Sequence, residues 1–224
     1  MPKIKLIGDI RCIGGVAASG GPDSMALLHF LKKGGHKPRA YFFDHNTKSS
    51  EEARKFLVDY CKEERITLIT DGLKEDKQKR SSWEEFWRTK RYEFLHRQQC
   101  IIATGHHLND VAETYIWGIA NGRGRFIHYC KPINDGPSNI VRPFLLTTKK
   151  SLLEWCYKNS TPFLRDPSNQ DLAFTRNRIR HNIIPEMEKV NPGFLKMIRK
   201  MMLKRFEDSI TAKQFKKGKL DETY

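Results

Sequence analysis

The sequence predicts an α/β protein: a parallel five-stranded sheet with helices on both faces, followed by a small helical extension. Three observations predict it. Short apolar runs alternate with longer helical patterns up to about residue 145. A glycine-rich turn joins the first apolar run to the first helical one. Beyond that point the strand-like runs stop, and helical stretches with a heavier positive charge take over. The expected division is therefore residues 1–145 for the sheet domain and 146–224 for the extension.

The elements follow in order. "GGVAA" (Gly14–Ala18), "RAYFF" (Arg39–Phe43), "ITLIT" (Ile66–Thr70) and "CIIAT" (Cys100–Thr104) have the continuous apolar character of strands buried on both faces, and "NIVRP" (Asn139–Pro143) is a weaker fifth. Helices are expected over Ser24–Lys33, Ser50–Glu63, Ser82–Arg97 and Asn109–Ala120. In such sheets ligands bind at the carboxyl ends of the strands. "TTKKSLLEWCYKNS" predicts a fifth helix, capped by Thr147 or Thr148. "DPSN" (166–169) is a turn by composition. "DLAFTRNRIRHNIIPEM" is a second helical stretch of the extension, which Pro185 should end or bend. A third opens with Asn191 as cap and Pro192 as first helical residue. The final "TAKQFKKGKLDETY" is expected to fray. Trp155 and Phe194 are expected in the core.

Composition narrows the function classes. The 224 residues carry 41 Lys and Arg against 26 Asp and Glu, a net charge of +15. Residues 142–224 alone contribute +9, so the back of the chain is the more cationic part. Such an excess favours a polyanionic partner. The five cysteines are scattered without a C-x-x-C pair, which argues against a disulfide framework and a structural zinc site. No run is long and apolar enough for a transmembrane helix, and the N-terminus lacks the pattern of a secretory signal. A cytoplasmic protein without a membrane partner is expected.

Three stretches carry chemistry. "SGGPDS" (Ser19–Ser24) lies between a predicted strand and a predicted helix. Its glycines permit a tight turn that presents backbone N–H groups to an anion, and the helix N-terminus adds positive potential. Asp23 is out of place in an anion site unless it caps the helix or holds Mg²⁺ bridging phosphates. "ATGHHLNDVAET" (Ala103–Thr114) places His106, Asp110 and Glu113 at i, i+4 and i+7, one face of a helix, with His107 three residues before Asp110. Such imidazoles and carboxylates suit a divalent ion or proton transfer near neutral pH. In "TRNRIRH", Arg176 and Arg180 are four apart, as are Asn177 and His181. Clustered guanidiniums suit phosphate or carboxylate contacts. Weaker signals are the polar loop of "FFDHNTKSSEEARKF", where an adenosine could lie, and Arg88, Arg91 and Tyr92 in "WRTKRYEFL".

In this order the stretches resemble the tRNA(Ile)-lysidine synthetases, a family of the PP-loop ATP pyrophosphatases. "SGGPDS" matches that superfamily's S-G-G-x-D-S loop in full, and "TGHHLNDVAET" is similar to the family's G-H-H-x-D-D-x-x-E-T. "RPFL…DPSN…TRNRIRHNIIPEM…NP" is similar to its R-P-L…D-x-S-N…R-N-x-I-R-x-x-x-x-P, the most discriminating part. The resemblance runs from about Val16 to Pro192.

The resemblance implies a Rossmann-like PP-loop fold. It also implies ATP-dependent ligation of L-lysine to C2 of the wobble cytidine of a CAU-anticodon tRNA(Ile), with ATP and Mg²⁺ required. By it, Ser19, Gly20, Gly21, Pro22, Asp23, Ser24, Asp44, His45 and Gly105 would bind ATP, with Asp23 on the metal. His106 and Asp110 would join Asp23 in the chemistry. Glu113 and Arg176 would hold the lysine. Arg178, Arg180, Lys200, Lys204 and Arg205 would contact tRNA phosphates. Two departures stand out. Asn109 replaces the first aspartate of the family's pair, and by the resemblance the chain is expected to be a short form without the further C-terminal domains usual in the family. Three rival functions are a tRNA 2-thiolation enzyme, an ATP pyrophosphatase amidating a small metabolite, and a non-catalytic tRNA-binding relic. The missing C-x-x-C, the net charge, and the retained Asp23, His106, Asp110 and Glu113 argue against them in turn.

Overall fold

The computed structural model describes residues 3–74, 83–130, 140–165 and 170–221. Three expectations lie outside them: Ser82 as a helix start, Asn139 as a strand start, and the 166–169 turn.

Among the described residues, five strands form one parallel sheet: β1 (Ile13–Ala17), β2 (Arg39–Asp44), β3 (Leu68–Gly72), β4 (Ile101–Ala103) and β5 (Ile140–Val141). Their order is β3-β2-β1-β4-β5. Val16 of β1 faces Ala40 of β2 and Ala103 of β4 across the two central ladders. The chain runs outward from β1 to β3, then crosses back to β4. That reversal opens a crevice between the carboxyl ends of β1 and β4.

Among the described residues, eight α-helices accompany the sheet: α1 (Pro22–Lys33), α2 (Lys48–Glu63), α3 (Trp83–His96), α4 (Leu108–Ala120), α5 (Lys149–Lys158), α6 (Thr175–Arg178), α7 (Ile184–Val190) and α8 (Phe194–Asp221). Sequence chemistry sets several ends. Thr47 and Ser50 form a reciprocal capping box on α2. Thr148, rather than Thr147, caps α5 by accepting the Ser151 N–H. β3 begins two residues later than the apolar run suggested. Ile66 is consumed in ending α2, where its N–H donates to the Cys61 carbonyl and Arg65 adopts a positive φ of 53°.

Leu27, Leu28 and Leu31 of α1, Leu57 of α2 and Leu152 of α5 pack with Val16 and Phe42 on one face of the sheet. Tyr41 and Phe43 point the other way, against Tyr92, Phe94 and Leu95 of α3. Leu108 and Val111 of α4 pack with Ile179, Phe194, Ile198 and Met202 in a third cluster. Trp155 packs against the first cluster and Phe194 is buried in the third. α5 and α8 thus bury their apolar sides against α1 and α4.

The extension differs in detail from the sequence expectation. Pro185 does not end its helical stretch. A wide π-helical turn (Ile179–Ile183) precedes it and leads straight into α7. Proline lacks an N–H and crowds the carbonyl four residues back, and a widened turn relieves both. Asn191 does accept a hydrogen bond, from the Gly193 N–H, but that turn delays α8 to Phe194. α8 then continues through Asp221, into the segment expected to fray.

Candidate active site

The phosphate-type loop leaves the carboxyl end of β1 and is built from the inside. Ser24 is buried. Its hydroxyl donates to the Gly21 carbonyl at 3.0 Å, lies 3.1 Å from the Ser19 N–H, which donates to it, and lies 3.2 Å from the Ser19 hydroxyl. Ser24 therefore holds the loop closed, while Ser19 is exposed at its mouth. Gly20 has a φ of +77°, which L side chains rarely adopt. Its carbonyl accepts from the Leu164 N–H, so the segment after α5 lies alongside the loop. Gly21 caps α1 without a side-chain bond, and Pro22 opens the helix.

The second loop leaves β4 beside it. A Cβ at Gly105 would stand 2.8–2.9 Å from the backbone of Asp23 and Ser24. Only glycine permits this approach, so Gly105 brings the two loops together. α4 starts at Leu108 with His107 as its cap: the Asp110 N–H donates to His107 Nδ1, and the His107 N–H donates to Asp110 Oδ2. His106 therefore precedes the helix instead of sharing its face with Asp110 and Glu113, and its Nδ1 is 2.8 Å from the Thr104 hydroxyl.

Across the crevice runs a chain of paired charges. Lys149 Nζ donates to Asp23 Oδ2 at 2.6 Å. Asp23 Oδ1 lies 3.6 Å from His107 Nε2, and His107 Nδ1 lies 3.4 Å from Asp110 Oδ2. Arg180 Nη2 is 3.9 Å from Asp110 Oδ1, and the same guanidinium makes a bidentate pair with Glu113 at 2.7 and 3.1 Å.

The pairing sets the protonation states. Burial would raise the Asp23 carboxyl, but His107 and Lys149 outweigh it and hold it down at about 2. Burial opposes charge on His107, yet Asp110 and Asp23 raise its pKa. Burial likewise opposes Asp110, and the two histidines lower it. Glu113 is raised, chiefly by burial and then by Asp110, against the pull of Arg180. His106 is pressed down to about 3 by burial, with Arg142, Arg88 and Arg176 adding to it against Asp110. Two adjacent histidines thus differ: one favours the imidazolium, the other stays neutral.

The remaining expected residues are dispersed. Asp44 ends β2, and its Oδ1 accepts from the Asn46 N–H and the Ser50 hydroxyl, securing the entry to α2. His45 follows, lowered to about 4 by burial and then by Arg91. Arg176 and Arg178 are exposed on α6. Glu113 pairs with Arg180, not Arg176, because Arg180 lies in the wide turn against α4. Arg180 is thereby engaged inside the crevice and not at the surface. Lys200, Lys204 and Arg205 are exposed on α8, with Arg205 over the Phe126 ring at 5.5 Å.

Two residues escaped the sequence reading. Lys149 is the cation on Asp23, and Asn109 accepts its backbone N–H at 2.9 Å. The replaced aspartate thus falls at a structural bond between α4 and α5. A signal was present: lysine in the first turn of a helix opposes the dipole, which points to a partner elsewhere. Arg142, in "RPFL", is buried beneath the site, donating to the His128 carbonyl and the Tyr92 hydroxyl.

Comparison with known proteins identifies the family. Residues 11–187 match the PP-loop domain family. The tRNA(Ile)-lysidine synthase of Thermotoga maritima is 34% identical over 190 residues, covering 79% of this chain and 45% of the relative. That of Thermosipho africanus is 36% identical over 193 residues, covering 80% and 44%. That of Buchnera aphidicola is 36% identical over 192 residues, covering 81% and 43%. The chain spans a little under half the length of these curated relatives. Among solved structures, the U34-tRNA thiolase NcsA from Methanococcus maripaludis, which carries a [4Fe-4S] cluster, superposes with a TM-score of 0.72. At 17% identity, covering 89% of this chain and 74% of the other, it speaks for the fold alone. With its glycine-rich loop at the end of β1 and a match over most of its length, the chain belongs to the PP-loop family.

Proposed function

We propose that the chain modifies tRNA at the expense of ATP, joining L-lysine to C2 of the wobble cytidine in a CAU-anticodon tRNA(Ile). The observation that carries this reading is the junction of two loops at one crevice. The phosphate loop touches the His107–Asp110–Glu113 segment through Gly105, within a region 34–36% identical to lysidine synthases.

The chemistry has two displacements. The C2 oxygen of cytidine attacks the α-phosphorus of ATP, and pyrophosphate leaves. The deprotonated lysine amine then attacks C2, and AMP leaves with the former C2 oxygen. Backbone N–H groups of Gly20, Gly21, Asp23 and Ser24, at the start of α1, receive the negative charge of the departing pyrophosphate. Asp23 fits a Mg²⁺ ion. It is ionised, and its buried Oδ1 has no hydrogen-bond partner among the described residues, which leaves an acceptor for a metal that takes most other ligands from phosphate and water. When bound, Mg²⁺ would neutralise phosphate charge in the first step. Asp110 stays ionised and is the carboxylate offered to the lysine ammonium, while Arg180 engages Glu113 beside it. His106 is neutral near pH 7 and serves as a hydrogen-bonding group for the cytosine ring. Arg176 and Arg178 remain available for the lysine carboxylate or tRNA phosphates.

Incubation with labelled lysine, ATP, Mg²⁺ and unmodified CAU-anticodon tRNA(Ile), followed by nucleoside mass spectrometry, tests the reading. A lysine adduct on the wobble cytidine is expected. AMP and pyrophosphate without the adduct would assign a different nucleophile. Neither product would overturn the proposal.

A further inference from the structure

A cavity of about 530 Å³ lies where α1, α2 and α5 end, away from the crevice. α1 and α5 pack together and both run from the crevice to this cavity. They start at the Asp23–Lys149 pair and finish at Lys33 and Lys158. The helix from Asp23 to Lys33 spans about 15 Å. The cavity has no part in the chemistry above.

Its walls carry more positive charge than the fold requires. A lysine in the last turn of a helix meets the negative end of the dipole. That accounts for Lys32, which donates to the Glu64 carbonyl at 2.7 Å and pairs with the Glu64 carboxylate, the acid on the cavity wall. Lys33 and Lys158 also line the cavity, are exposed, and form no ion pair among the described residues. Lys33 is positioned over the Trp155 ring at 5.7 Å and donates to the Asn159 side-chain oxygen.

The remaining polar groups are donors. His29 lines the cavity, and its Nδ1 accepts from the Trp155 indole N–H at 3.1 Å. Burial and then Lys33 lower its pKa, so the ring is neutral and carries its proton on Nε2. That N–H has no partner among the described residues. Two hydroxyls next to lining residues are unmatched as well. Tyr60 is one turn before Glu64, and Thr161 follows Ser160. Both are buried, and neither oxygen has a hydrogen-bond partner among the described residues. Buried polar atoms are normally satisfied, and an exception needs a reason. Spare cations and N–H or O–H donors around a concave surface, with its acid already paired, call for an oxyanion.

The surroundings favour one kind of oxyanion. Lys37, Lys62 and Arg65 stand exposed beside the same helix ends, outnumbering the exposed Glu63. The positive rim therefore continues past the cavity, which suits a chain of phosphates better than a single small anion. We propose that this cavity is a second phosphate site, separate from the phosphate loop, which holds the backbone of a tRNA stem while the crevice holds its loop. The proposal rests on the reading of this chain as a tRNA-modifying enzyme. Lys33 and Lys158 supply charge, and the His29 Nε2–H and the Ser160 hydroxyl orient a phosphate oxygen.

The test measures tRNA binding by the full chain at several salt concentrations. Lys33→Gln with Lys158→Gln removes the unpaired cations of the cavity. Lys55→Gln with Lys189→Gln removes two exposed lysines elsewhere and is the charge-matched control. The cavity variant should bind CAU-anticodon tRNA(Ile) about tenfold more weakly than the control at low salt. Its slope of log affinity against log salt should be smaller by about 0.7–0.9 for each phosphate released. Its ATP affinity, and its turnover at saturating tRNA, should match wild type, so that the loss falls on KM. A second arm follows the His29 ring signals by NMR. They should move on addition of tRNA and respond weakly to inorganic pyrophosphate. A strong response to pyrophosphate, with tRNA affinity unchanged in the cavity variant, would overturn the RNA assignment in favour of a small phosphate compound. Equal affinities and equal salt slopes in the two double variants would overturn the site and leave the enzymatic reading intact. No tRNA binding by wild type would overturn both.

Discussion

The two ends of this molecule use charge in opposite ways. At the crevice, charged groups are withdrawn from water and matched: Lys149 with Asp23, His107 between Asp23 and Asp110, Arg180 on Glu113. On α8, Lys200, Lys204 and Arg205 stand exposed and form no ion pair among the described residues. The first arrangement gives fixed geometry and shifted pKa values, at the cost of desolvation. The second gives long-range attraction for a polyanion and little stability. Substitutions at the crevice should therefore change turnover and folding together, and substitutions on α8 should change RNA binding alone.

The sharpest way to break this contrast is at Asp23. Asp23→Asn keeps the shape but removes the charge facing Lys149 and His107, and should reduce RNA-dependent pyrophosphate release at least about a hundredfold. Turnover near wild type would remove Asp23 from the site. Next in size is the Arg180–Glu113 pair. Arg180→Met leaves a carboxylate buried without its partner, and should cost about 3 kcal/mol in urea unfolding. Glu113→Gln should cost less, because Arg180 is a third exposed and keeps access to water and to Asp110. Equal and negligible losses would place the pair with ordinary surface bridges.

A third test uses pH. His106 and His45 have folded values of about 3 and 4, below the unfolded value near 6.5. The unfolded chain therefore binds more protons between about pH 4 and 6.5, and these two groups make stability fall as pH is lowered through that window. Each contributes a slope of about 1.4 kcal/mol per pH unit at most. His107 acts oppositely: its raised value favours folding at low pH, and that contribution is lost as pH rises through the folded value. His106→Asn should flatten the slope between pH 4 and 6.5 in thermal melts, and an unchanged slope would mean His106 is not buried as a neutral ring. The smallest effect on folding belongs to α8. Replacing Lys200, Lys204 and Arg205 with alanine should leave the melting temperature unchanged. It should weaken tRNA binding and reduce the slope of log affinity against log salt by about 0.7–0.9 for each phosphate no longer neutralised. A drop in melting temperature would show that the helix depends on these side chains.

How much was legible in advance differs in the same way between regions. The strand-to-helix junctions at "SGGPDS" and "ATGHH" were visible because glycine and small hydroxyl residues leave a local signature. Even there, one residue was misplaced. His106 looked like a helical residue by spacing, but His107 caps α4 through its bonds with Asp110 and the helix starts at Leu108, one residue before the Asn109 expected. The pairing of Glu113 with Arg180 was hidden because the two lie 67 residues apart and the wide turn before Pro185 changes the helical register. Lys149 lies 126 residues from Asp23, and nothing local announces such a contact beyond a lysine at the wrong end of a helix.

By itself the sequence determined what short-range physics controls: buried strands from continuous apolar runs, helix starts from their caps, an anion-binding turn from its glycines, and a cationic rear from composition. The tertiary structure alone decided which charges meet. Coulomb energy and desolvation depend on distance in space and on burial, which neighbouring residues in the chain do not specify. For that reason two adjacent histidines carry opposite pKa shifts, an asparagine in an acidic motif holds a helix end, and an arginine expected at the surface lies on a buried glutamate.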